Sequence, residues 1–343
     1  MGTQDNNRYR AYVDEVGDDL KATLMAGLEF INWDKYIDRN TRVFVKPNFT
    51  FPYYKEGVTT SPRFLGCLLE ILKSRAGTVT VGESDGGNHS FKAEAAFEGH
   101  DMYRICREAG VELVNLSALP SETVEAEILS QKVRVQLPRM LLEDVDCFIS
   151  VPVLKIHVIT TVSLSLKNSW GCVPDTMRGL HHHHLAHKLA LIARFLEPKV
   201  VVIDGTYALN RHGPMYGEAI RTNLVVMANN PVVADALGAS IMGFLPQRVE
   251  HIALAARAGL GSLDLGDSVV INQDWEKYRR QFQIEKTLVD RISALLFHSD
   301  ALAKLVMASP LTPAIYAVAG ILRSSQEKDV ASQLGEHKTL GPY

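Results

Sequence analysis

Short β-branched runs alternate along this chain with longer stretches of helical periodicity. RVFVKPN (42–48) has the composition of a strand and stops at a proline. SPRFLGCLLEILKSRAG (61–77) repeats apolar residues at helical spacing, with Ser61 as N-cap, Pro62 in the first turn and Gly77 as a stop. TVTVGESDGG (78–87) is a strand entering a polar, glycine-rich turn, and MYRICREAG (102–110) closes a helix before the strand VELVNLS (111–117). ETVEAEILSQKVRVQLP (122–138) alternates with period two and predicts a hairpin, whereas VDCFISVPVL (145–154) is continuously apolar and predicts a central strand. Further on, 183–196, 231–244 and 248–261 read as helices, and 199–205 and 222–229 as strands.

This alternation predicts an α/β protein with a mostly parallel sheet, helices on both faces and two lobes around a cleft. The expected divisions are an α/β lobe over 1–175, a second over 176–270, a helical extension over 271–325 and a loose tail over 326–343. In such a sheet ligands bind outside the carboxyl ends of strands. Polar residues collect at four of those ends: Lys46 and Asn48; Glu83, Ser84, Asp85 and Gly86; Lys155 and His157; and Asp204. Asn210 follows in the loop NRHGPMYGE. Each group alone is weak, but their convergence predicts one cleft.

The stretch VPVLKIHVITTVSLSLKNSWGC (151–172) concentrates the chemistry. Lys155 and His157 are two apart and point the same way on a strand. If 158–168 is helical, Lys167 returns to nearly the azimuth of His157 some three turns along; if it is partly extended, the two come closer. A lysine in an apolar cleft has a lowered pKa and serves as base or nucleophile; the alternative is an ion pair with Glu83, Asp85 or Asp204. Lys155, His157, Lys167 and Asn168 are therefore the expected catalytic residues, with Lys46, Asn48, Glu83, Ser84, Asp85, Gly86, Asp204 and Asn210 as substrate-binding candidates.

In RGLHHHHLAHK (178–188) a helix would place His183 and His187, or His184 and His187, on one face, a spacing that suits Zn²⁺, Ni²⁺ or Fe²⁺, with His157 as a further ligand. The alternative is a solvated, histidine-rich helix start. ESDGG lacks the spacings of nucleotide-binding loops.

Composition narrows the classes. The 343 residues are 46% hydrophobic and 22% charged, with a net charge of −3, which argues against a general nucleic-acid binder. The four cysteines form no CxxC, so no iron–sulfur cluster is expected. MGTQDNNRYR has no apolar core, so a secretory signal is not expected, and Asn6 leaves the myristoylation pattern incomplete. A cytoplasmic location follows, with contact to the inner face of a membrane through the amphipathic segment 291–323 as an added expectation. Burial of that segment against the body or in a homo-oligomer is the competing one.

VFVKPN, TTSPRFL, VTVGESDGG, VPVLKIHVITTVSLSLKNSWGCVP, VVIDG, GPMYGE and VVADALGA, in that order and spacing, resemble the DUF362 family over about 40–260. Many members carry ferredoxin-like cysteine motifs, which this chain lacks. A more distant similarity is to the N-terminal domain of nickel-pincer lactate racemases, where a strand ends in a histidine and a lysine ten residues later meets the cofactor. His157 and Lys167 match that spacing, but VITTVSLSL stands in place of the glycine-rich stretch.

Together these point to an isomerase, epimerase or lyase acting on a small anionic or sugar-derived substrate by Lys/His acid–base chemistry, with a divalent metal as an option. The runner-up is a non-catalytic ligand-binding or redox-accessory protein, linked to envelope polysaccharide metabolism.

Overall fold

The computed structural model describes residues 9–287, and the expectations for 288–343, the amphipathic segment included, lie outside them. Two units are distinguished: residues 1–178 with 184–285, and residues 179–183 with 286–343. The elements of the first carry the fold.

In chain order they are β1 (Tyr9–Glu15), α1 (Leu20–Phe30), β2 (Arg42–Pro47), α2 (Pro62–Lys73), β3 (Thr78–Glu83), α3 (Ala93–Gly99), α4 (Met102–Ala109), β4 (Glu112–Asn115), β5 (Ser121–Ile128) and β6 (Gln131–Pro138). There follow α5 (Arg139–Glu143), β7 (Cys147–Val151), β8 (Val153–His157), β9 (Thr161–Ser163), α6 (Ser165–Asn168), α7 (Leu185–Leu196), β10 (Val200–Asn210), β11 (Glu218–Ala228), α8 (Pro231–Ile241), α9 (Glu250–Arg257) and β12 (Val269–Ile271).

Among the described residues one ten-stranded sheet runs β12–β1–β11–β10–β7–β2–β3–β4, with β8 paired to β10 and β9 to β8. It takes strands from both sides of residue 175. Six of its nine pairings are parallel; β1–β11, β10–β11 and β8–β9 are antiparallel. The β5–β6 hairpin stands apart as its own two-stranded sheet.

The pleat explains why the central strands are apolar without alternation. Phe44, Phe148, Val201, Ile203 and Val226 belong to one hydrophobic core, while Val43, Val45, Cys147, Ile149, Val200, Val202 and Val225 belong to the other. Successive residues thus enter opposite layers, and helices close both: α1, α2 and α4 on one side, α7, α8 and α9 on the other.

Local rules account for several boundaries. Ser61 accepts from the Phe64 N–H and Pro62 opens α2, and Asn230 accepts from the N–H groups of Val232 and Val233 ahead of Pro231 in α8. Gly110 closes α4 in the left-handed conformation, with φ 66°.

Two segments differ from the sequence expectation, and in a third, 158–168, the partly extended of the two readings holds. The run 145–154 divides at Pro152, which has no N–H for the ladder, into β7 and β8. Residues 158–168 do not form a three-turn helix. The chain turns through Thr161, at φ 69°, into the β8–β9 hairpin and only then into the single turn of α6. The helix after the histidine run begins at Leu185, so His183 and His184 precede it and the i, i+4 geometry imagined for His183 and His187 is not present.

Candidate active site

At the carboxyl ends of β2, β3 and β8 lies a cavity of about 110 Å³. Lys46, Asn48, Glu83, Ser84, Gly86, Lys155, His157, Lys167 and Asn168 line it. Nine of the twelve side chains named as catalytic or substrate-binding candidates are therefore brought together. Asp85, Asp204 and Asn210 are not among the lining residues.

Neighbouring strand ends create the first pairing. β2 lies parallel to β3, with Val45 opposite Val81, so the two strands end together with Glu83 one position beyond the level of Lys46. The Lys46 ammonium donates to Glu83 Oε2 at 2.6 Å and to the Pro47 carbonyl at 2.7 Å. The same carboxylate accepts the Phe49 N–H at 3.0 Å and the Ser84 N–H at 3.1 Å. Lys46 is 1% exposed and so cannot relax into water. Gly171 abuts this pair: a Cβ there would lie 2.8 Å from Glu83 Oε1 and 2.9 Å from Lys46 Nζ. Lys46 is thus occupied internally.

Lys155 is equally buried but has no carboxylate partner among the described residues. Its Nζ donates to Asn48 Oδ1 at 3.0 Å and to the Val58 carbonyl at 2.8 Å. Burial, and then Lys167 beside it, hold its pKa well below the ordinary lysine value. Asn48 is itself anchored, its N–H donating to Thr60 Oγ1, which donates onward to the Val151 carbonyl.

His157 closes β8. Its Nδ1 accepts the N–H groups of Ile159 at 3.1 Å and Thr160 at 3.4 Å, so the ring proton sits on Nε2. Asn168 braces the floor, donating to the Lys46 carbonyl and to Ser150 Oγ.

The placement of Lys167 depends on Asp235. That carboxylate, fully buried in α8, accepts the N–H groups of Ser165 at 2.7 Å and Leu166 at 2.9 Å and so fixes the turn of α6. Burial pushes the Asp235 carboxyl up to about 8, against the pull of those two N–H groups. Lys167 makes no hydrogen bond among the described residues. Burial and then the nearby Arg178 push its pKa down to about 8. Behind it His251 is buried, and burial holds that ring down at about 3.

Three expected ligand-binding groups serve the fold instead. Asp85 accepts from Lys92 at 2.7 Å, from the Ala93 N–H that opens α3 and from Asn115. Asp204, 3% exposed, accepts the Ser61 N–H before α2 and the Thr206 N–H, and burial raises its pKa. Asn210 donates to Glu218 and accepts the Gln283 N–H.

Arg178 was not anticipated from the sequence. It lines the cavity and, among the described residues, donates to the backbone carbonyls of Asp85, Val173 and Asp175. A charged residue just after NSWGCVPDTM was the available signal. Trp170 and Pro214 complete part of the wall.

Among the described residues no group of three or more His, Cys, Asp or Glu side chains stands where it would hold a metal ion. His184 and His187 face each other edge-on, ring centroids 5.7 Å apart, while His157 lies at the cavity and His183 belongs to the other unit.

The comparisons agree with the motif order. The family model described as "Domain of unknown function (DUF362)" matches residues 43–240, more than half of the chain. The thylakoid-associated protein sll1697 of Synechocystis sp. is 27% identical over 124 residues, a match spanning 34% of this chain and 39% of that protein. A crystal structure of a Thermotoga maritima protein aligns over 71% of this chain and 59% of its own, with a TM-score of 0.34 and 13% identity. On the family match, which contains every strand end that builds the cavity, this chain belongs to the DUF362 family.

Proposed function

We propose that the protein is an enzyme that binds a small anionic substrate in this cavity and moves a proton at it with Lys155 and His157, in the manner of an isomerase, epimerase or lyase. One observation carries the reading. Lys46, Lys155, Lys167 and Arg178 surround a small cavity whose one carboxylate, Glu83, is already taken by Lys46. Lys167 and Arg178 are left to meet an anion, and Lys155 has the depressed basicity that a general base at neutral pH requires. His157, with its proton on Nε2, acts as a hydrogen-bond donor to a substrate oxygen rather than as a base. No step of this reading runs through a metal.

The test is anion affinity against pH. Binding of oxalate and of inorganic phosphate is read from the fluorescence of Trp170 in the cavity wall. An anion prefers the Lys167 ammonium, which is present below its pKa of about 8 and lost above it. The affinity for oxalate, a dianion throughout this range, should therefore be flat from pH 6 to 7 and weaken above 8. The loss expected is about tenfold to a hundredfold, the worth of one hydrogen bond to a charged group. Neither anion binding, or binding that ignores pH over this range, would remove the basis of the proposal. Binding without any turnover of hydroxy or oxo acids would favour the non-catalytic ligand-binding reading.

A location beside a membrane is favoured by the similarity to the thylakoid-associated cyanobacterial protein. Among the described residues no helix is long and apolar enough to cross a bilayer, so the expected contact is peripheral. Flotation of the full chain with liposomes should show association; recovery of all the protein in the lipid-free fraction would count against it.

A further inference from the structure

The hydrogen bonds of Lys155 carry the site further. A neutral amine has two N–H donors and one lone pair. Both donors are engaged, one by Asn48 Oδ1 at 3.0 Å and the other by the Val58 carbonyl at 2.8 Å. Both acceptors are uncharged, and neither demands the ammonium form. What remains for the cavity that Lys155 lines is the lone pair. Lys46 is the contrast in the same cavity, held as an ammonium against Glu83. A desolvated lysine beside other cations is the arrangement that makes an amine a nucleophile toward carbonyl carbon.

Two further groups say what else such a carbonyl compound carries. Lys167 lines the cavity with no hydrogen-bond partner among the described residues. Ser84 lines it too, 1% exposed, and its Oγ is buried without a partner among the described residues. A buried hydroxyl and a lysine, both without a hydrogen-bond partner among the described residues and both lining one cavity, are the complement of a carboxylate.

We propose that Lys155 forms an imine with the carbonyl carbon of a small oxo acid whose carboxylate is held by Lys167, Arg178 and Ser84. This rests on the reading of the cavity as an anion-binding active site and names its substrate class and covalent step. The amine lone pair forms the C–N bond as the carbonyl π electrons move to oxygen. The oxygen then leaves as water with one amine hydrogen and one proton taken up from solvent, and a protonated C=N replaces C=O. His157 lines the same cavity. The protonated imine retains one N–H, for which Asn48 Oδ1 or the Val58 carbonyl is the ready acceptor. With the nitrogen cationic, the carbon next to it loses a proton more easily; Lys155, now the imine nitrogen, is no longer a base, and the proton passes to solvent water.

Reductive trapping tests this. The full-length protein is incubated with pyruvate, glyoxylate or acetoacetate and with sodium cyanoborohydride as hydride source, then examined by intact mass and peptide mapping. At least one probe should add a single reduced adduct, mapped to Lys155, and oxalate should slow its formation. Lys155→Met and Lys155→Arg should lose it, and mapping of the unaltered protein stands whether or not these variants fold. If oxalate binds with the expected pH dependence but no probe is trapped, the imine is overturned and the anion site survives. If neither oxalate nor phosphate binds and no probe is trapped, both readings fall. Adducts spread over surface lysines and unaffected by Lys155→Met also overturn it.

Discussion

Glu83→Gln is expected to lower folding stability by about 3–5 kcal/mol, the usual cost of leaving one member of a buried ion pair alone. The Lys46 ammonium would keep only the Pro47 carbonyl, at a position 1% exposed to solvent. The amide is also a poor substitute for the carboxylate. Its two oxygens receive Lys46, the Phe49 N–H and the Ser84 N–H, and a glutamine would turn an NH₂ toward at least one of these donors. Lys46→Met combined with Glu83→Gln removes the stranded charge while keeping an acceptor for the backbone. That double variant should be more stable than Glu83→Gln alone, by urea denaturation with an unchanged m-value. If Glu83→Gln stays within about 1 kcal/mol of the parent, the pair is not structural, and Lys46 returns to the list of groups free to bind substrate.

The second large effect falls on chemistry rather than stability. Lys155→Met should leave the fold within about 1–2 kcal/mol of the parent, because a side chain of similar volume replaces a buried amine whose desolvation is unfavourable. The Asn48 Oδ1 that loses its donor keeps the Thr50 N–H at 3.4 Å. Proton exchange should collapse. In D₂O the protein is expected to speed exchange at the carbon next to the carbonyl of a bound oxo acid, followed by proton NMR. Lys155→Met should lower that rate by about 10²–10⁴-fold, the range for removing a positioned acid–base group. Exchange unchanged in a folded Lys155→Met variant would remove this lysine from the chemistry. Unfolding of that variant would instead make it a prop of the sheet.

Much of this was readable from the chain because it follows from local rules. β2 and β3 are apolar runs closed by proline or by a polar turn, and α2 and α8 carry a capping side chain followed by proline. The concentration of lysine, histidine and asparagine in 151–172 was legible as well, since a buried strand does not tolerate such residues without use or partner. Of the two readings of 158–168 the partly extended one holds, and composition could not choose it because Thr161 adopts a left-handed turn that composition does not announce.

What the amino-acid sequence determined by itself was the α/β alternation and which strand ends would be polar. Only the tertiary structure decided where each polar group spends its hydrogen bonds. Asp85 and Asp204 look on paper as much like ligand groups as Glu83 does. Each is claimed by backbone N–H groups of a distant segment, at Ala93 and at Ser61. Lys46 and Lys155 both follow an apolar run, yet β3 puts a carboxylate beside the first, while the chain at Asn48 and Val58 puts two neutral oxygens beside the second. The partner, not the residue type, sets whether a buried lysine is a fixed cation or a neutral amine. Partners separated by 37, 97 and 107 positions are chosen by packing, which no local pattern records.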